Sequence, residues 1–143
     1  MERPQVWKVS AEGGPVVQVT RHGGWVPLES PDGQCLFYTK PAGGLWRMPL
    51  PDGEEEPVSP EGVNGIGTAY APGRKGIYFI RYATSGRKHS LVFLRFADGQ
   101  TTTLAEISRP LGMGFALSPD ERTILYSQID QVSSELMLVE HLH

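Results

Sequence analysis

The side chains able to do chemistry are thinly spread along this chain. Arg21-His22 precedes Gly23-Gly24, a guanidinium and an imidazole beside glycines that let backbone come close to a ligand. Glu54-Glu55-Glu56 is a run of carboxylates, and Arg81, Tyr82, Arg87 and His89 fall close together. Trp25, Lys40, Asn64, Arg109 and Asp130 stand singly. Acid–base or nucleophilic catalysis needs a His, Ser or Cys held beside a base at a telling spacing. No Gly-x-Ser-x-Gly elbow and no His-Glu-x-x-His motif occurs, and the run around Gly62, Gly65, Gly67 and Gly73 lacks both the spacing and the following helix of a P-loop. The three glutamates follow a Pro51-Asp52-Gly53 turn and read as the solvated edge of an outer strand, which discourages aggregation. His141 and His143 lie where a chain frays, and the lone Cys35 offers neither an intrachain disulfide nor a zinc spacing. The expectation is a binding surface with no catalytic residues, no metal and no cofactor.

Bulk properties narrow the partner. The 143 residues carry a net charge of −3 with scattered Lys and Arg, which disfavours nucleic acid, where a basic stripe must neutralise phosphates. No apolar run is long enough to cross a membrane, and Met1 to Gln5 lacks a signal peptide's apolar segment. A protein or a small ligand is the expected partner. Localisation stays open, extracytoplasmic included should the chain belong to a longer parent.

The elements that would position these residues are short strands. Apolar runs of four to six residues are bounded by Gly, Pro, Asp and Ser, and 17 Gly and 12 Pro leave few windows for a helix. One phrase recurs: Ser30-Pro31-Asp32-Gly33-Gln34-Cys35-Leu36-Phe37-Tyr38 returns as Ser118-Pro119-Asp120-Glu121-Arg122-Thr123-Ile124-Leu125-Tyr126, with a worn copy from Ala71 to Phe79 between them. The three prolines are 41 and 47 residues apart, the length of a propeller blade. A second apolar segment follows each copy, at Leu45-Trp46-Arg47-Met48, Leu91-Val92-Phe93-Leu94 and Leu136-Met137-Leu138-Val139, and Val6-Trp7-Lys8-Val9 precedes the first. Asp-Gly or Gly-Gly turns and a further short segment come next. Each unit is therefore four strands, A to D, and the phrase is the A–B hairpin. The shared period position of Trp7 and Trp46 places both in packing between blades. Gly73 replaces the Asp of the phrase and Glu121 its Gly. A residue other than glycine at positive φ costs on the order of 1 kcal/mol, so the last turn either changes type or carries strain.

With "SPDG", "LWRMP" and the Gly-Gly and Asp-Gly turns, the chain resembles the TolB-type β-propeller repeats of bacteria, in "VWKVSAEGGPVVQVTRHGG", "ESPDGQCLFYTKPAGGLWRMPLPDG" and "ALSPDERTILYSQIDQVSSELMLVE". The resemblance covers nearly the whole chain, weakly from Pro57 to Gly76. It implies an all-β fold of four-stranded antiparallel blades, often the C-terminal part of bacterial regulators or kinases. The opening residues enter a blade at strand C, so the chain reads as a single partial propeller, 1–143, with blade parts at 5–20, 24–60, 65–105 and 112–140.

Counting strands gives thirteen, about three blades, too few to close a ring. The expectation is an open arc that two copies complete to six blades by exchanging strands, a homodimer with one C strand too many at each junction. Propeller ligands dock where the D–A and B–C loops emerge, and there this chain places Arg21, His22, Trp25, Lys40, Asn64, Arg81, Tyr82, Arg109 and Asp130, with Arg87 and His89. Any one loop Arg or Lys taken alone reads first as solvated. The A strands that line the channel hold Glu29 as their one ionisable residue, which favours a non-enzymatic interaction module in a bacterial sensory or regulatory protein over the alternative, the propeller part of a hydrolase or lyase.

Overall fold

A computed structural model describes residues 3–59 and 69–130, and within them every regular element is a strand. β1 (Trp7–Lys8) and β2 (Val17–Gln18) make a two-stranded sheet. β3 (Trp25–Glu29), β4 (Cys35–Thr39), β5 (Leu45–Pro49) and β6 (Glu56–Ser59) make a complete blade, as do β7 (Tyr70–Pro72), β8 (Gly76–Arg81), β9 (His89–Arg95) and β10 (Thr101–Ile107). β11 (Leu111–Leu117) and β12 (Ile124–Gln128) form a second half-sheet. All neighbours are antiparallel. The described strands run in the order C–D, A–D, A–D, A–B; the last apolar segment, Leu136 to Val139, and residues 60–68 ahead of β7 lie outside the described residues.

Alternation along the central strands explains their unbroken apolar runs, since both faces are covered. Leu36 and Tyr38 of β4, with Trp46 and Met48 of β5, face the first half-sheet and pack with Val6 and Val19. Phe37 and Leu45, on the other face, join Tyr70, Ile77, Phe79, Val92 and Leu94 of the next blade. A third core, Ala69, Ile80, Leu91 and Ile107, meets Phe115 and Ile124 of the last half-sheet. Three apolar cores thus cement four sheets side by side.

The first and last copies of the phrase fold alike. Ser30 Oγ donates to Asp32 Oδ1 (2.5 Å) and accepts from Cys35 N (3.0 Å), while Gln34 N donates to Asp32 Oδ1 (3.0 Å). Ser118, Asp120, Arg122 and Thr123 repeat these bonds at 2.6, 3.1 and 3.0 Å. The serine and backbone donors hold both aspartates below the usual carboxylate range. Glu121 adopts φ +57, close to the +70 of Gly33, so the last turn keeps its type and carries the strain.

The middle copy departs from the expected hairpin. Pro72 sits in strand β7 opposite Ile77, and a two-residue turn, Arg74-Lys75, closes between Gly73 and Gly76, whose N–H and carbonyl pair at 2.8 Å. With Ala71 for Ser and Gly73 for Asp, the side-chain bonds that hold the longer loop are absent, and the strands pair closer to the tip. The two departures from the phrase meet in space: Glu121 Oε1 accepts from Arg74 N (2.9 Å) and Oε2 from Arg74 Nη1 (3.2 Å). A Cβ on residue 73 would meet Glu121 Oε1, so a side chain there would have to push that carboxylate away from Arg74.

The A strands carry a matching irregularity. The β3–β4 register breaks between Trp25 and Leu28, with Val26 at φ +50, and the β11–β12 register breaks between Leu111 and Phe115, with Gly114 at φ +120. Both residues stand five places before the proline of the phrase. Tyr70 of the neighbouring blade fixes the first break, its hydroxyl donating to the Val26 carbonyl with that of Phe37 close by at 3.2 Å.

Trp7 corrects an expectation. Trp46 is half-buried in its inter-blade core, but Trp7 is 55% exposed, because β1 has no B strand beside it.

Candidate functional site

A groove of about 530 Å³ between the first half-sheet and the first complete blade is lined by Lys8, Gln18, Arg21, His22, Glu54 and Glu55 among others. At its edge Glu55, which precedes β6, accepts from Lys40 Nζ at 2.7 Å and from the Tyr38 hydroxyl at 2.5 Å, with His22 Nδ1 at 3.2 Å. Lys40 leaves the β4–β5 loop and runs back along the sheet, its ammonium 3.7 Å from the centre of the Trp46 ring. Alternation decides this grouping: Tyr38 and Trp46 are opposite one another on the face that looks toward β1 and β2.

Two protonation consequences follow. Burial pulls the Glu55 carboxyl upward, but the hydrogen bonds from Lys40 and Tyr38 and the charges of Lys40 and His22 outweigh it and keep the carboxyl below its ordinary range. Burial, and then donation to Glu55, drives the Tyr38 hydroxyl far above its ordinary value. Tyr38 is thus a fixed donor, and Glu55 a fixed acceptor of two donors, with the His22 ring beside it.

The His22 loop is set by the half-sheet. Gln5 Oε1 accepts from Thr20 Oγ1 (2.8 Å) and from Gly23 N (3.1 Å), and Thr20 Oγ1 accepts from Val6 N (2.9 Å). Gly24 packs so tightly on Val6 and Thr20 that no Cβ fits without displacement.

The residues expected on one loop surface fall into separate groups. His22 and Lys40 meet through Glu55, on the flank of the blade. Tyr82 and His89 form an edge-to-face pair 5.5 Å apart, and His89 Nδ1 accepts from Ala83 N at 3.1 Å. Burial raises the Tyr82 hydroxyl. Arg109 bonds the Asp130 carbonyl at 2.9 Å and lies 3.6 Å from its carboxylate. Arg21 and Arg87 are exposed in their loops. Trp25 opens β3 and Arg81 closes β8, so neither is a loop residue, and Trp25 Nε1 and Arg81 Nε are buried without a hydrogen-bond partner among the described residues. A water or an acceptor from a partner would satisfy them. Asn64 lies outside the described residues.

Sequence alone assigns Tyr38 no role, and Glu55 reads with its neighbours as a solvated strand edge. Tyr38 had a signal, since a tyrosine within a buried strand needs a partner for its hydroxyl. The carboxylate run also divides: Glu55 is enclosed by donors and Glu56 pairs with Arg47 Nε at 2.5 Å, so two of the three are engaged rather than simply solvated. No group of His, Cys, Asp and Glu suited to a metal occurs among the described residues.

No protein-family model matches the chain, and neither does any curated protein. Among solved structures it is similar to TolB from Acinetobacter baumannii, with a TM-score of 0.69 at 15% identity over 90% of this chain. That likeness shows the fold, a TolB-like β-propeller. This chain spans 33% of the length of the TolB chain.

Proposed function

We propose that this chain is a non-enzymatic β-propeller scaffold that docks an acidic segment of a protein partner at the end where the β2–β3, β4–β5, β8–β9 and β10–β11 connections emerge, as the interaction part of a regulatory protein. The observation that carries this reading is how charge is spent there. Glu55 is taken up by Lys40 and His22, Asp130 by Arg109 and Glu106 by Lys88 (3.3 Å), whereas no carboxylate lies within ion-pair distance of Arg21 or Arg87 among the described residues. The surface therefore offers exposed guanidinium groups, the donors best matched to carboxylates and favoured at binding hot spots.

Fluorescence polarisation with labelled octapeptides, all-Glu, Gly/Ser and all-Lys, tests it. The acidic peptide binds, more weakly as salt rises, and the Arg21→Glu/Arg87→Glu variant loses at least tenfold in affinity. Equal binding of acidic and neutral peptides, or an unchanged affinity in the charge-reversed variant, overturns the reading. Turnover of chromogenic ester or glycoside substrates that falls with Lys40→Met would point instead to the hydrolase alternative.

A further inference from the structure

The two end sheets are the two halves of one blade. β11 and β12 are an A–B pair, and β1 and β2 are a C–D pair. In the complete blade, β5 fills the edge of β4 with Leu36 opposite Met48, Phe37 opposite Arg47 and Tyr38 opposite Trp46. The repeat puts Leu125 and Tyr126 at the places of Phe37 and Tyr38, and Trp7-Lys8 at the place of Trp46-Arg47. Inside the arc these places are closed, with Phe37 2% and Tyr38 0% exposed; at the ends Leu125 is 66% and Tyr126 40% exposed. Among the described residues β12 and β1 each have one unpaired edge, and each bears the apolar residues of a blade interior.

We propose that two copies of this chain assemble by completing each other's end blades: β1 of one copy pairs antiparallel with β12 of the other, with Trp7 opposite Tyr126, Lys8 opposite Leu125 and Val9 opposite Ile124. A second copy is the occupant because its C–D pair supplies both strands that the A–B pair lacks among the described residues, whereas the chain's own Leu136 to Val139 would supply a C strand alone, and it arrives with the register that the repeat already uses. A two-fold arrangement makes both junctions at once and yields six blades, within the range that closes a ring.

Light scattering and directed disulfides test it on the full chain. The molar mass is twice the 15.7 kDa of one copy. Trp7→Glu, a change at an exposed site, keeps the unfolding midpoint measured in dilute solution and returns the mass to that of one copy. In a Cys35→Ser background, a Lys8→Cys copy mixed with a Leu125→Cys copy forms a linked dimer. The model for that pair is Phe37 and Arg47, one place from the hydrogen-bonded Leu36–Met48 pair, where the ladder is narrow and a disulfide fits. Val9→Cys mixed with Leu125→Cys, one residue out of register and on the opposite face, stays unlinked. A monodisperse monomer, whose edge strand is then met from within its own chain or a longer one, overturns the proposal, as does a dimer that survives Trp7→Glu or fails to link Lys8→Cys to Leu125→Cys. Acidic-peptide binding can be scored on monomer or dimer, so the loop-end reading stands or falls separately.

Discussion

Tyr38 and Tyr126 close the same nine-residue phrase, occupy the same place on the second strand of a blade, and meet opposite fates. Tyr38 lies in a core between two sheets, with its hydroxyl on Glu55. Tyr126 is 40% exposed on a sheet of two strands. The local hairpins are the same down to the serine and aspartate bonds. Burial is therefore decided by what stands on either side of the strand and not by the strand's own residues.

The largest effect should come from the inner member of that pair. Tyr38→Ala, which empties a packed core and strands Glu55 without one donor, is expected to cost about 3–5 kcal/mol in urea unfolding. Tyr126→Ala under dilute, monomeric conditions should cost about 0.5 kcal/mol or less. Equal losses would erase the distinction between the interior of the arc and its end.

The middle and last hairpins sharpen the comparison next, because their departures fit each other. Restoring the phrase with Gly73→Asp drives a carboxylate against Glu121 and should destabilise by about 1–3 kcal/mol. Adding Glu121→Gly should recover most of that loss, a coupling of about 1–2 kcal/mol in a double-mutant cycle. Additive effects would mean that the two hairpins do not sense one another.

A smaller effect concerns the A strands. Gly114→Val puts a β-branched residue at φ +120, farther from the left-handed region than Val26 at +50, and should cost about 1–2 kcal/mol by thermal or urea unfolding. Val26 has the Tyr70 hydroxyl from the next blade to hold its carbonyl.

The smallest effect is a pH dependence in the groove beside the open end. The Glu55 carboxyl is depressed when folded, so the unfolded chain binds its proton more readily. Stability from this group is complete above the ordinary value of 4.5 and is lost as pH falls through the lower folded value. The acid limb of stability against pH should be shallower in Glu55→Gln than in the native chain. An unchanged limb would show that Lys40 and Tyr38 do not favour the ionised form.

By itself the sequence determined the blade. Proline spacing, the Ser-Pro-Asp turn and alternating apolar runs act over a few residues, where backbone sterics and local hydrogen bonds settle the outcome, and they yielded the all-β, four-stranded repeat. Where the repeat wore thin, local signals failed: Pro72 aligned with a turn but lies in a strand, because without Ser and Asp nothing held the longer loop. Tertiary structure alone decided the rest. Lys40 and His22 converge on Glu55, and Glu121 meets Arg74, because blade stacking places side chains far apart in sequence a few ångströms apart, and charge then pairs them. The same stacking half-buries Trp46 and leaves Trp7, at the open end, exposed. A residue's type sets what it would gain from burial, and only its neighbours in space can supply it.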